Sequence, residues 1–438
     1  MTEALIWSNY LVASGFALWR LSFIDLKRLT FADGLLIGMI YYLVAPMLFI
    51  LMEGRISSQF IMSDDYLPYY DLDTTLTILV CLYFMPLLHM IFPRAASAPL
   101  PQGNSKTFDL TLLVLVVAMY FAATILGFVL SGLWAGGHWY ANTHEALTTS
   151  GAALVLKHLA NFARLAVFGL LAYSAVIGVI SRRSFHLVGL LVVFCDLFLT
   201  FNRITAAYYL ISIMLLYRDR KLLLASIVAA LVLVVPFISN MWPVFRGLAT
   251  RDGYALRGLM IAADVAWRAA SSHGGLADFT SSVFESTNFP VLNFIVQQPG
   301  SALGVVPGSI YLRPATIFLP SMVWTDRPPV FGTILGSVIN DSRSGLALNS
   351  TLIGEPYGNF GPWWPIGILP LYLIYHLAFL QLSRSSPSFG AIGALAAIAM
   401  WRFDSTTAPI ALVLSFALLV LIRVGESAIR PQPRRVLR

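Results

Sequence analysis

Charge is scarce in this sequence. Asp, Glu, Lys and Arg make up 11% of its 438 residues, and 58% are hydrophobic. Soluble domains carry about 25% charged residues. With a mean hydropathy of +0.78, a water-soluble fold could not hide this much apolar surface. Cysteine is nearly absent. Cys81 and Cys195 both lie inside apolar runs, which excludes a disulfide framework and a thiolate metal site. Lysine is rare too, so the net charge of +7 is carried by arginine. The chain lacks HExxH, GxxxxGK[ST], GxSxG and CxxC signatures, and with them the chemistries those motifs encode. The first apolar stretch has no basic leader and no small-residue cleavage site, so no cleavable signal peptide is expected. No internal repeat stands out, which disfavours transporters built from two related halves.

What the chain does have is long apolar runs. A spanning helix needs about 20 mainly apolar residues. Eleven candidates fall near 4–24, 31–52, 75–93, 110–130, 153–180, 185–201, 204–217, 222–242, 363–382, 389–401 and 406–423. Basic residues in short loops mark the cytoplasmic side. Lys27 and Arg28, Arg94 and Lys106, Arg182 and Arg183, "RDRK" at 218–221, Arg384 and the basic tail all alternate correctly if the N-terminus is outside. The expected fold is therefore an all-α polytopic membrane protein of about 11 transmembrane helices. Residues 1–242 would hold helices 1–8. Residues 243–362 would form one long outer loop with amphipathic helices. Residues 363–438 would hold helices 9–11 and a cytoplasmic tail. Within the long loop, Leu256, Leu259, Met260, Ala263 and Trp267 recur at helical spacing and predict an amphipathic helix lying on the bundle.

Several arginines stand where no cytoplasmic anchor is needed. Arg203 interrupts the apolar run "LFLTFNRITAAYYLI" at the outer turn of a tight hairpin. Arg402 in "MWRFDSTTAP" holds the matching place in the last hairpin, with Asp404 beside it. Lys157, Asn161 and Arg164, spaced i, i+4, i+7, form a polar stripe on the fifth span. The long loop adds Arg246, Arg251, Arg257, Arg268, Arg313, Arg327 and Arg343. An arginine at the bilayer centre costs about 2.5–3.5 kcal/mol on insertion scales. Guanidinium groups bind phosphate oxygens bidentately. The set reads as an anion site at the outer membrane boundary. The competing reading is structural: Arg402 pairing with Asp404, and Arg203 bonding carbonyls at its turn. The acidic loop with Asp64, Asp65, Asp71 and Asp73 reads as a solvated loop rather than a metal site.

Two stretches of the long loop carry a resemblance. They are "FLPSMVWTDRPPVFGTILGS" (318–337) and "LIGEPYGNFGPWWPIGI" (352–368). The pair resembles the periplasmic loop of the bacterial O-antigen polymerase (Wzy) and oligosaccharide repeat-unit polymerase family. Pro320, Trp324, Asp326, Arg327 and Pro328 match its first element. Gly354, Glu355, Tyr357, Asn359, Phe360 and Gly361 match its second. The family's Arg-x10-Gly element fits Arg343 to Gly354, but no second copy lies in an earlier outer loop.

The resemblance implies a fold similar to GT-C glycosyltransferases in the bacterial inner membrane, with the active site facing the periplasm. It implies a reaction on undecaprenyl-diphosphate-linked oligosaccharides. The growing glycan moves to the non-reducing end of a new lipid-linked unit, building O-antigen or a related surface polysaccharide. No metal, cofactor or nucleotide sugar is required, and a chain-length regulator is a possible partner; nucleic acid is not. In this reading Glu355, then Asp326 and Asp404, are the candidate catalytic carboxylates. Arg203, Arg246, Arg313, Arg327, Arg402, Lys157 and Arg164 are the candidate diphosphate ligands. Tyr357, Asn359, Trp324, Arg257 and Arg343 are the candidate substrate contacts. The rivals are an O-antigen ligase, which would move the same donor onto lipid A-core, a metal-dependent transferase using Asp64 and Asp65, and a lipid-linked oligosaccharide flippase.

Overall fold

The computed structural model describes residues 3–54, 68–93, 104–130, 151–200, 202, 204–223, 225–227, 237–238, 241–242, 244–245, 247–248, 256–273, 288–298, 303–304, 308–312, 331–339, 348–402 and 407–429. Among the described residues there is no strand. Helix α1 is Glu3–Leu21. Helix α2 runs Phe31–Met39, passes through a π turn at Ile40–Val44 and continues as Ala45–Glu53. Then come α3 Leu72–Ile91, α4 Asn104–Leu130 and α5 Gly151–Val176. Helix α6, Arg182–Cys195, ends in a second π turn, Asp196–Thr200. Helix α7 is Ile204–Leu216. Four helices follow in the long segment: α8 Leu256–His273, α9 Asn288–Gln297, α10 Phe331–Ile339 and α11 Thr351–Phe360. The chain closes with α12 Trp364–Ser383, α13 Pro387–Met400 and α14 Thr407–Ile429.

Seven stretches among the described residues are long and apolar enough to cross a membrane, and α7 and α13 are shorter apolar helices. This is an α-helical membrane protein. Ten of the eleven runs expected from sequence coincide with helices to within several residues. The run at 222–242 lies mostly outside the described residues, so the count of eleven rests on the sequence.

Helix α13 sits at the centre. Every residue after Pro387 is buried, and the helix packs against α2, α5, α12 and α14. Its sequence, "SFGAIGALAAIAM", is rich in Gly and Ala, which let helix backbones approach closely in a bilayer. At Gly34 on α2 an added Cβ would lie 2.0 Å from the Ala394 carbonyl oxygen, so only glycine permits this crossing. The outer helices show the opposite pattern. Leu187, Leu190, Leu191 and Phe194 on α6, and Phe416, Val420 and Leu421 on α14, face outward. Water would oppose such surfaces; lipid accepts them.

The two π turns have local causes. Pro46 has no N–H to return to Tyr42, so the α-ladder of α2 is broken there. The Tyr10 hydroxyl donates to the Val44 carbonyl at the end of the turn, at 2.8 Å, and fastens α1 to it. In the second turn the Asp196 carbonyl accepts from the Asn202 backbone N–H at 3.0 Å. The Asn202 side chain in turn accepts from the Ile204 N–H at 3.0 Å and starts α7. Asn202 thus links the end of the π turn to the start of α7.

Helix α8 forms where an amphipathic helix was expected, but its buried face is turned so that only part of the expected stripe is covered. Ala262 and Ala266 are fully buried, and Leu259 packs with Trp242 and Phe245. Met260 is 65% and Trp267 69% exposed, contrary to the expected stripe. Small residues give α8 a closer seat than the bulky stripe would. Asp264 and Arg268 pair along its exposed face at 2.8 Å.

Candidate active site

The matched stretch "TLIGEPYGNF" folds as α11 rather than as a loop. It begins under backbone strain. Thr351, a β-branched residue, has φ of 63°, in the left-handed region, at a cost of about 1–3 kcal/mol. Such strain persists only where packing over-determines it, and functional sites are a common location. The helix ends at Gly361, whose φ of 58° with ψ of −140° is accessible to glycine alone. Gly354 and Gly358 face Ile295 of α9 and Phe331 of α10, so α11 lies tightly against both.

Glu355 is 5% exposed. Its carboxylate lies within electrostatic reach of the Tyr311 and Tyr372 hydroxyls. Tyr311 belongs to a 3-10 turn, Ser309–Leu312, and its ring stacks on Phe360 at 5.7 Å. Tyr372 and Tyr375 come from α12 and pack on Phe31 of α2. The Tyr311 and Tyr372 hydroxyls are buried without a hydrogen-bond partner among the described residues. Buried polar groups without partners are uncommon and ask for an explanation, such as an unseen ligand. Burial pushes the Tyr311 hydroxyl well above its usual titration range, and the Glu355 charge adds to this. Tyr311 therefore remains a neutral donor at any physiological pH.

The remaining matched residues brace this centre. Asn359 accepts from the Gly308 N–H at 3.1 Å and donates to the Glu355 carbonyl at 2.8 Å. It ties the Tyr311 turn to α11. Tyr357 is half-buried and turned towards Asp73 and Thr77 of α3. Beneath it, Asn293 accepts from the Thr74 hydroxyl at 2.7 Å and donates to Asp71 at 3.2 Å, and Gln297 also donates to Asp71. Part of the acidic stretch thus anchors α9 to α3. Among the described residues no three His, Cys, Asp or Glu side chains converge as a metal site.

The expected diphosphate ligands divide. Arg402 follows α13 and is half-buried, next to Trp401, whose indole N–H donates to the Leu35 carbonyl at 3.0 Å. Arg164 is 4% exposed and lies in an ion pair with Asp196. It also donates to Asn161 at 2.5 Å and to Thr200 at 3.3 Å. Asp196 further accepts from Tyr120 at 2.9 Å and from Thr205. Arg164 is thus engaged on every side, and Asn161 supports it as the i, i+3 neighbour on the same stripe. Arg257 is exposed on α8. Lys157 falls on α5. Arg203, Arg246, Arg313, Arg327, Arg343, Trp324, Asp326 and Asp404 lie outside the described residues.

Sequence reasoning missed Tyr311, Tyr372 and Tyr375. The signal for the last two was present: tyrosines three apart in "PLYLIYH" fall on one helical face, inside a span that offers few other polar groups. No protein-family model, curated protein or solved structure matches this chain.

Proposed function

We propose that the chain is a bacterial inner-membrane glycosyltransferase that polymerises undecaprenyl-diphosphate-linked oligosaccharide units at the periplasmic face. The observation that carries the reading is Glu355, a buried carboxylate on the helix formed by the family-like stretch, beside two buried tyrosine hydroxyls without partners among the described residues. The acceptor sugar hydroxyl attacks the anomeric carbon of the donor glycan. The bond from that carbon to the diphosphate oxygen breaks, and the lipid diphosphate departs. Glu355 takes the acceptor's proton; a positioned base contributes about 10²- to 10⁴-fold. Tyr311 remains protonated and offers its hydroxyl to a sugar oxygen. Arg402, with Arg203, Arg246, Arg313 and Arg327, offsets charge building on the leaving oxygen; such preorganised cations contribute several kcal/mol. Arg164 leaves that set and is assigned to holding α5 against α6. The test is incubation of the purified protein with a lipid-linked repeat unit, read as a ladder on a gel, with and without EDTA. A ladder that persists in EDTA supports the metal-independent reading; its loss in EDTA favours the metal-dependent rival.

A further inference from the structure

A second polar site lies where α6 begins and α7 stops. The two helices meet there around tyrosines. Gly189 of α6 faces the Tyr209 ring of α7, and an added Cβ would lie 2.7 Å from a ring carbon. This close approach sets His186 between two phenols. Its Nδ1 lies 2.7 Å from the Tyr209 hydroxyl and its Nε2 2.9 Å from the Tyr217 hydroxyl. The imidazole also stacks on the Tyr217 ring, with centroids 5.8 Å apart. Tyr217 is thus held at both ring and hydroxyl, and the Arg182 guanidinium lies over it at 5.2 Å. A guanidinium seated on a ring is positioned in advance and keeps N–H donors for a phosphate.

The charge around this tyrosine is mostly of one sign. Arg182 and Arg183 open α6. Arg220 and Lys221 follow α7, and the Arg220 N–H donates to the Tyr217 carbonyl at 2.8 Å. All four are exposed. Arg218 is engaged with the Ile24 carbonyl at 2.9 Å and with Asp219 at 3.7 Å. Among the described residues no carboxylate pairs with the other four. The charge rule asks for cations near such an end. It does not ask for two in the first turn of a helix, where the macrodipole disfavours them. An external anion would offset the dipole and the mutual repulsion together. Hydrocarbon lies next to these cations. Arg183, Leu187, Leu190 and Phe194 share one stripe of α6, and its apolar members are exposed. Among the seven candidate spans, that of α6 and its π turn buries the smallest share of its residues. From Arg183 to Phe194 the stripe runs about 16 Å, roughly one leaflet of hydrocarbon.

We propose that this end of α6 and α7 binds the headgroup of a diphosphatidylglycerol (cardiolipin), an anionic lipid with two phosphates. One phosphate meets Arg182 and Arg183, the other meets Arg220 and Lys221, and acyl chains run down the Leu187–Phe194 stripe. Two cation pairs gathered at one tyrosine match two phosphates tethered by a single glycerol. Because the second phosphate is tethered, it binds without a second association cost, which favours this lipid over one with a single phosphate. A soluble diphosphate meets the same cations but gains nothing from the stripe.

Delipidated full-length protein in detergent is mixed with cardiolipin, phosphatidylglycerol or phosphatidylethanolamine of identical chains at equal phosphate, and retained lipid is read by native mass spectrometry. Cardiolipin is expected to be retained about tenfold over phosphatidylglycerol, with phosphatidylethanolamine lowest. Arg183→Gln and Lys221→Gln, at exposed residues, should each reduce cardiolipin retention about fivefold. Arg384→Gln, which removes an equal charge from the exposed turn after α12, should leave it unchanged. Equal retention of cardiolipin and phosphatidylglycerol overturns the two-phosphate assignment. Cardiolipin retention unchanged in Arg183→Gln and Lys221→Gln, or reduced as much by Arg384→Gln, overturns the site. Displacement of cardiolipin by an equal concentration of inorganic pyrophosphate overturns the lipid assignment.

Discussion

At the residue scale the deciding feature is how each buried charge is satisfied. Asp196 is fully buried and accepts from Arg164, Tyr120, Thr200 and Thr205. Removing one partner of a buried pair leaves the other uncompensated, at about 3–5 kcal/mol. Asp196→Asn should therefore lower the unfolding free energy by about that amount, measured by thermal or denaturant unfolding in detergent. The double replacement Arg164→Leu with Asp196→Leu should recover most of the loss, because paired removal strands no charge. Tyr311 gives a contrasting expectation. Its hydroxyl has no partner among the described residues, so Tyr311→Phe should leave stability nearly unchanged. If that hydroxyl orients a sugar oxygen of the substrate, turnover should fall about tenfold, the worth of one hydrogen bond of about 1.4 kcal/mol. Equal turnover in Tyr311→Phe and wild type would remove Tyr311 from the site.

At the scale of elements, hydropathy located helices well and orientations poorly. The ends of α1, α2, α5, α12 and α13 are legible because apolar runs stop at charge, Pro or Gly. The side each helix presents is less legible, and α8 shows why. Its periodicity suits either a Leu–Met–Trp face or the Ala262–Ala266 face, and only the partner, Trp242 with Phe245, selects the small one. Likewise "GEPYGNFG" reads as a loop, since it is rich in Gly and Pro, yet it folds as α11. The proline lies at the sixth position of a ten-residue helix, and packing on α9 and α10 outweighs its lost N–H. The α2–α13 crossing offers the sharpest element-level test. Gly34→Leu would place a side chain into the Ala394 backbone, where no side chain can yield. Overpacking of this kind costs about 1–3 kcal/mol or more. A lowered melting temperature, with aggregation in detergent, is the expected result, whereas Gly15→Leu, at a position with open space, should leave it unchanged.

For the whole molecule, the sequence showed a bundle with polar chemistry gathered in a few places, and the structure specifies those places. One is Glu355 with its tyrosines. A second is the Arg164–Asp196 pair, which the sequence offered only as an arginine on a stripe and an aspartate in an apolar run. Residues so distant in sequence pair through helix packing, which periodicity cannot foresee. The third is the basic end of α6 and α7 around Tyr217, whose cations appeared in the sequence only as charge in two separate loops. The account's central claim is that Glu355 deprotonates a sugar hydroxyl while arginines release a lipid diphosphate. The most direct measurement is polymer formation by purified wild type and Glu355→Gln, each reconstituted with the lipid-linked repeat unit and checked for equal folding. The account predicts a ladder from wild type and a rate at least about 10²-fold lower from Glu355→Gln. A folded Glu355→Gln protein that builds the wild-type ladder at the wild-type rate would contradict it.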